Sequence, residues 1–197
     1  WHTHEHMPER LAIPGFLRGT RWVAHSGEPS YFVLYETTDL ETLTSGAYLD
    51  RLNNPTAWSR KMMPYHRDMV RSLCRVRATF GGGLAQATAT IRFSPPRGSA
   101  ASMLKWLAEV RLAVLPERKG LCAAHLLESL PADPKQLTEE QKIRGIDAQA
   151  DCVLLISGYD VEALQAIVAV ERGELEFRGV PPGSIAALYR CAYSLTS

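Results

Sequence analysis

Apolar and polar positions in the second half of the chain form four strand-like runs separated by two helical ones. Residues 84–93 alternate apolar and polar side chains, as a strand with one solvated face does, and residues 121–130 form a second such run. Residues 152–157 are almost continuously apolar, which is typical of a central strand buried on both faces. Asp160 can cap the helix that follows, and residues 185–195 supply the last strand. The predicted order is β-α-β-β-α-β, the ferredoxin-like unit.

The first half predicts the same order without its beginning. Residues 16–24 and 31–36 have the pattern of strands two and three, and residues 69–80 that of strand four. A helix begins near Leu40 and is interrupted at Asn53-Asn54-Pro55. We therefore expect that a first strand and most of a turn, roughly 20 residues, precede Trp1 in the natural protein.

Short sequence matches relate the two halves to each other. The triplet Pro-Glu-Arg occurs at Pro8 and again at Pro116, and each copy is soon followed by a glycine and an apolar residue, Gly15-Phe16 and Gly120-Leu121. The match continues downstream, where residues 34–43 align with residues 155–164. Ordered matches of this kind predict an internal duplication.

A duplication predicts how the chain is organised. Residues 1–80 would form unit one, which lacks its first strand, and residues 84–197 would form unit two, with the glycines at 81–83 as a joint. Each sheet is covered by helices on one face and needs a second cover. We predict an α+β fold in which the two antiparallel sheets pair into an intrachain α/β barrel.

Composition limits the classes of partner. Of the 197 residues, 46% are hydrophobic and 22% charged, and the net charge is +1, so no basic surface for nucleic acid is indicated. No apolar run approaches the roughly 18–20 residues of a membrane span. Each of the four cysteines lies in a strand-like apolar run, which favours buried, reduced thiols and a cytoplasmic protein. The four are Cys74, Cys122, Cys152 and Cys191.

The densest group of reactive side chains lies in the first sixteen residues, which hold three of the six histidines. On a helix His2 and His6 share a face, and such a pair can hold zinc. A third ligand is not evident, and Glu5 does not occupy the position that it has in the H-E-x-x-H motif. We therefore predict no metal site.

His6 is the candidate for proton transfer, because histidine titrates near neutrality. We expect Glu5 to orient it, and Arg10, Trp22 and Tyr35 to bind a substrate beside it. In the alternative reading, His6 caps a turn broken by the nearby proline, and Glu5 with Arg10 forms a solvated surface pair.

The first residues also carry a resemblance to a known family. Residues 1–16, read as W-x-x-x-E-H-M-P-E-R-L-x-I-P-G-F, resemble a segment of the EthD-like proteins, and the similarity extends over residues 1–76. This family belongs to the dimeric α/β-barrel superfamily, which includes cofactor-free monooxygenases, lactone isomerases and haem enzymes. The resemblance implies a barrel with a small apolar cavity between helices and sheet. It places Glu5 and His6 on the family's acidic residue and histidine.

Three functions follow as hypotheses. The first is a cofactor-free enzyme, such as an isomerase, decarboxylase or oxygenase, that acts by proton transfer on a small hydrophobic carbonyl or aromatic compound. The second is a non-catalytic barrel that binds a small ligand or has a structural role. The third is a haem-binding barrel enzyme with His66 as iron ligand, because Trp58, Met62, Met63 and Tyr65 lie nearby in sequence. We expect no partner among nucleic acids or membranes, and a homodimer of barrels is an open alternative.

Overall fold

Within the part of the chain that the computed structural model describes, residues 1–130, 137–144 and 148–197, seven antiparallel strands form one curled sheet. The strands are β1 (Phe16–Ser26), β2 (Tyr31–Thr37), β3 (Cys74–Phe80), β4 (Ala87–Phe93), β5 (Leu121–Ser129), β6 (Cys152–Gly158) and β7 (Ile185–Thr196). Their order across the sheet is β2-β1-β7-β4-β6-β5-β3.

Helices cover one face of this sheet. The first begins as a π-helical segment, His2–His6, and continues as an α-helix. The α-helices are α1 (Met7–Leu11), α2 (Gly46–Asn53), α3 (Ala57–Met62), α4 (Ala100–Trp106), α5 (Glu139–Arg144) and α6 (Val161–Phe177). A second π-helical segment, Leu107–Arg111, extends α4. In the described residues no helix combines the length and the apolar composition that a bilayer span requires.

The order predicted for the second half is confirmed. Strand β4, helix α4, strands β5 and β6, helix α6 and strand β7 follow in sequence, and these strands lie side by side as β7-β4-β6-β5. Asp160 caps α6 as predicted, with its carboxylate accepting a hydrogen bond from the Ala163 N–H at 3.0 Å. The sequence pattern succeeds here because one face of each strand meets a helix.

Strands of the two halves pair edge to edge. Strand β1 pairs with β7, and β3 pairs with β5, both antiparallel. These ladders satisfy backbone groups that two separate sheets would leave exposed at their edges. The prediction was of two antiparallel sheets that pair, whereas the strands of the described residues form one continuous sheet.

The curl of the sheet brings distant strands together. Glu36 lies on β2, at one end of the strand order, and His125 lies on β5, next to the other end. Burial lowers the pKa of His125, and the negative charge of Glu36 partly offsets that fall. The concave face holds the aromatic residues Trp22, Phe32 and Tyr189, with Trp22 stacked on Phe32 at 5.1 Å between ring centroids.

Two glycines make equivalent turns before β1 and β5. Gly15 has φ +93° and Gly120 has φ +92°, in the region that favours glycine. A Cβ on Gly15 would lie 2.2 Å from Thr42 Oγ1, and one on Gly120 would lie 2.5 Å from Ala163 Cβ. The carbonyl of each glycine accepts a backbone hydrogen bond from the segment after the neighbouring strand. The turn at Gly15 packs against the 3-10 helix Glu41–Thr44, which follows β2, and the turn at Gly120 packs against α6, which follows β6.

The cysteines are free thiols, but they are not all buried. Cys152 is buried, and Cys74 and Cys122 are partly buried. Cys191 is exposed on β7, where it lies opposite Trp22 of β1, so the expectation of a buried thiol is wrong for this residue.

Candidate functional site

The first helix lies against the convex face of the sheet and carries the reactive side chains found in residues 1–16. Met7 and Leu11 are buried and pack with Phe16 of β1. The helix is not broken at Pro8, contrary to the expected kink, because this proline lies in the first turn of α1. His2 and His6 are the first and last residues of the wider π-helical turn that precedes α1. Such turns are frequent at functional sites.

Three histidines surround the indole of Trp1. Its ring centroid lies 4.6 Å from that of His6, 5.5 Å from that of His66 and 5.9 Å from that of His2. His66 follows the 3-10 turn after α3, so the third histidine of this group lies 60 positions after His6 in the sequence. His2 and His6 are 5.4 Å apart.

Glu5 anchors this segment instead of orienting His6. Its Oε1 atom accepts hydrogen bonds from Thr56 Oγ1 at 2.6 Å, Trp1 Nε1 at 3.1 Å and Ser59 Oγ at 3.3 Å. Thr56 also caps α3. In the described residues the Glu5 carboxylate has no hydrogen bond to His6, so its role in the structure is to tie the first helix to α3.

Arg10 is buried and not part of a surface pair. Only 4% of its side chain is exposed, and it donates to Glu140 of α5 at 2.5 Å. Glu140 also lies 3.7 Å from Arg144. The alternative prediction, in which Glu5 and Arg10 form a solvated surface pair, is therefore wrong. Sequence reasoning missed Glu140, because no local pattern marks a contact between residues 130 positions apart.

Tyr35 lies on the same face as the first helix, whereas Trp22 does not. A Cβ added to Gly19 of β1 would touch both the Tyr35 ring, at 2.8 Å, and Met7, at 3.1 Å. Trp22 lies among the residues of the concave face. The structure therefore brings His6, Arg10 and Tyr35 together on the convex side and separates Trp22 from them.

Buried polar atoms without a partner mark this region. In the described part of the chain these atoms are His2 Nδ1, His6 Nδ1, His66 Nδ1, Tyr35 OH and Trp22 Nε1. All except Trp22 lie on the helix side, and we call these four residues the polar cluster. Leaving such an atom unpaired costs about 1–3 kcal/mol, so these four together make this region the candidate functional site.

Two histidines of the polar cluster, His2 and His6, are held in the neutral form by burial. Burial lowers the pKa of His2 to about 4, with a further contribution from the charge of Arg21. Burial also holds the pKa of His6 well below its ordinary value, and the charge of Arg10 lowers it further. Burial raises the pKa of Tyr35, so its hydroxyl stays a hydrogen-bond donor.

Two open clefts of the surface lie elsewhere. One, of about 360 Å³, is lined by Ser99, Ser102, Met103, Phe177 and Arg178. Another, of about 230 Å³, lies along α6 and is lined by Arg118, Lys119, Leu121, Ala163, Ala166, Ile167 and Val170. None of the predicted site residues lines either cleft. In the described residues no group of three histidine, cysteine or acidic side chains is placed to hold a metal ion.

Comparison with known proteins identifies the fold. No protein-family model matches the sequence, and no curated protein is significantly similar to it. Among solved structures, an anthrone oxidase-like protein has a TM-score of 0.62 at 14% identity, covering 98% of this chain and 84% of its own. A proposed monooxygenase from Fusobacterium nucleatum has 0.56 at 7% identity, covering 96% of this chain and 84% of its own.

A proposed monooxygenase from Lactobacillus acidophilus NCFM has a TM-score of 0.54 at 9% identity and covers 96% of this chain and 86% of its own. At these identities the similarity establishes a shared fold and says nothing about a shared reaction. The site has to be argued from its own residues.

Proposed function

We propose that this protein is a cofactor-free enzyme in which His6 transfers a proton on a small hydrophobic carbonyl or aromatic compound. The observation that carries the proposal is the neutral imidazole of His6, largely buried, whose Nδ1 atom has no partner. A neutral imidazole is the form that can accept a proton. Arg10 and Tyr35 lie on the same side of the sheet.

The chemistry would begin with removal of a proton next to a carbonyl group. His6 takes the proton and becomes an imidazolium, while the electron pair of the broken C–H bond moves to the carbonyl oxygen as an enolate. The hydroxyl of Tyr35 donates a hydrogen bond to that oxygen. The negative charge raises the pKa of His6 toward neutrality, so the base strengthens as the proton moves.

The solved structures with this fold support small-molecule chemistry, since they are named as anthrone oxidase-like and as proposed monooxygenases. Isomerisation and oxygenation can both proceed from such an enolate, so the proposal does not depend on which of the two follows. In a decarboxylation the enolate would instead form by loss of CO₂, and the protonated His6 would return a proton to its carbon. The EthD-like relation rests on residues 1–16. The matched turns at Gly15 and Gly120 support the internal duplication. The pairing of β1 with β7 and of β3 with β5 supports the barrel pairing.

A non-catalytic binding or structural role is the second candidate. It is favoured by the position of the clefts, neither of which is lined by His6. In this reading the buried histidines only pack against Trp1. The haem alternative rests on His66 alone, and a homodimer of barrels and a cytoplasmic location remain predictions.

The proposal is tested by deuterium exchange, which needs no knowledge of the overall reaction. Purified protein in D₂O is mixed with 2-tetralone, and the loss of its C1 proton signal is followed by ¹H NMR. We expect the wild-type protein to exceed the buffer rate, and His6→Gln to lower the protein-dependent rate by about 100-fold or more. The matched control is His4→Gln, because His4 is exposed on the same segment.

Equal exchange rates for wild-type protein and His6→Gln would contradict the assignment of His6. A wild-type rate equal to that of buffer, for 2-tetralone and for a panel of aryl ketones, would favour the non-catalytic role.

A further inference from the structure

The two end strands of the sheet, β2 and β3, each have a free edge. In the described residues β2 pairs only with β1, and β3 pairs only with β5. Strand β2 nevertheless packs on both faces of the sheet, with Val33 and Tyr35 against the first helix and Phe32 and Leu34 against Trp22. Packing on both faces is typical of a strand inside a sheet rather than at its edge.

Strand pairs within the two halves have the same register. The residue after the first glycine turn, Phe16, lies opposite Thr37, the last residue of β2. The residue after the second glycine turn, Leu121, lies opposite Gly158, the last residue of β6. By this register β1 corresponds to β5, and β2 corresponds to β6.

The pairs formed between the halves repeat in the same way. Gly19, four residues after the glycine turn before β1, lies opposite Leu195 of β7. Ala124, four residues after the glycine turn before β5, lies opposite Phe80 of β3. Strand β3 therefore corresponds to β7.

Strand β4 is the strand of the second half that has no counterpart among the described residues of the first half. It lies between β6 and β7 and is antiparallel to both. The strands that correspond to β6 and β7 are β2 and β3, so the position that corresponds to β4 lies between the two free edges. One strand fits there if the backbones of β2 and β3 are about 10 Å apart, because neighbouring strands are spaced by about 4.8 Å.

Contacts of Tyr48 on α2 bring the two ends of the sheet close together. Its ring centroid lies 5.6 Å from that of Phe16 on β1, and Phe16 packs in turn against Tyr35 on β2. The Tyr48 hydroxyl accepts a hydrogen bond at 2.8 Å from Arg71, which lies three residues before β3. A single side chain therefore reaches from the β1–β2 end of the sheet to the start of β3.

The burial of corresponding strands differs in the way that a free edge requires. Six of the seven residues of β6 are buried, whereas none of the residues of β2 is buried. Tyr31, the first residue of β2, is 63% exposed, and Cys152, the first residue of β6, is 2% exposed. An exposed apolar edge of this kind is a template for another strand.

We infer that the free edges of β2 and β3 together bind one extended peptide strand, antiparallel to both. We assign as its source the segment expected before Trp1, because β4 likewise precedes the first helix of its own half. The backbone groups of the bound strand would form ladder hydrogen bonds on both sides, as those of β4 do. The inference does not depend on the role proposed for His6.

The experiment adds a synthetic peptide with the sequence of residues 84–94, which contains β4, and follows backbone amide exchange of the protein by NMR. Amides of β2 and β3 that point away from β1 and β5 should exchange rapidly in the free protein. With about 1 mM peptide they should exchange at least about tenfold more slowly, because each gains a ladder hydrogen bond. Amides of β7, which is paired on both sides, should not change.

The matched control is the same peptide with Thr88→Pro and Thr90→Pro. Proline has no N–H to donate to a ladder, so this peptide should give no protection. Protection by both peptides, or by neither, would overturn the inference. Slow exchange at the two edges of a monomeric free protein would overturn it as well.

A chimaera tests the assigned source of the strand. Pro8 matches Pro116, so residue 108 corresponds to the position just before Trp1, and a copy of residues 84–108 is placed there. The edges of β2 and β3 should then be protected without added peptide, and the two proline substitutions in the copy should abolish this protection. Binding of the free peptide without protection in the chimaera would overturn the assignment to the protein's own segment.

Light scattering on the free protein tests a second copy as the occupant. We expect a monomer with rapidly exchanging edges. A dimer in which the edge amides of β2 and β3 are already protected would assign the site to a second copy and overturn the inference.

Discussion

The three histidines of the first helix differ in chemistry because the π-helical turn directs them differently. His4 is exposed, whereas the Nδ1 atoms of His2 and His6 are buried without a partner. Burial disfavours the imidazolium form, so residues of one type within five positions become two neutral bases and one ordinary surface group. The sequence marked the segment as reactive but could not assign these states, because they depend on Trp1, Arg10 and Arg21.

A lowered histidine pKa makes stability depend on pH. The unfolded chain binds the proton near pH 6.5, while folded His2 binds it near pH 4, so the protein loses stability as the pH falls through this window. We expect His2→Gln to lose roughly 2–3 kcal/mol less than the wild type between pH 7.5 and pH 4.5, measured by urea unfolding. His4→Gln should follow the wild type. Parallel losses in wild type and His2→Gln would show that His2 is not buried as described.

At the scale of elements, the buried ion pair of Glu140 with Arg10 connects α5 to the first helix of the chain. Glu140→Gln removes the partner of Arg10, which is 4% exposed, and leaves its charge uncompensated. The expected loss is about 3–5 kcal/mol in the free energy of unfolding, read from urea denaturation. Glu139→Gln, one position away on the exposed side and paired with Lys142, should have no measurable effect. Similar effects of the two substitutions would contradict the burial of the Glu140 pair.

The glycine turns before β1 and β5 predict a pair of equivalent effects. Gly15→Ala and Gly120→Ala introduce a Cβ at positive φ within 2.2 Å and 2.5 Å of neighbouring atoms. Each should lower the free energy of unfolding by about 2–4 kcal/mol. Gly46→Ala, at the first position of α2 with no atom within 4 Å, should be neutral or raise it by up to about 1 kcal/mol. Thermal unfolding followed by circular dichroism compares the three, and a tolerated alanine at residue 15 would refute the tight turn.

At the scale of the whole molecule, the sequence predicted those features of the fold that depend on residues close together in the chain. Apolar patterning located β4, β5, β6 and β7, through alternation in β4 and a continuous apolar run in β6, and the cap at Asp160 was predicted from its position before a helical run. The pairing of β1 with β7 and of β3 with β5 could not be predicted, because the sequence pattern of each of these strands also suits an unpaired edge strand.

The candidate site shows the same division. His6, Arg10 and Tyr35 were chosen from the sequence and lie on one side of the sheet. The partner of Arg10 and the face of Trp22 required the assembled fold. Alternation along β1 was the signal that could have separated Trp22 from Arg21, its neighbour on the opposite face.

The ionisation of His6 is the quantity on which the account depends most. Histidine-selective ¹³C labelling, with His6 assigned from its glutamine variant, allows this ring to be titrated by NMR from pH 8 to pH 4.5. We expect His6 to stay neutral across most of this range, because burial holds its pKa well below the ordinary histidine value of about 6.5. A His6 ring that titrates near that ordinary value would contradict a buried neutral base at this site.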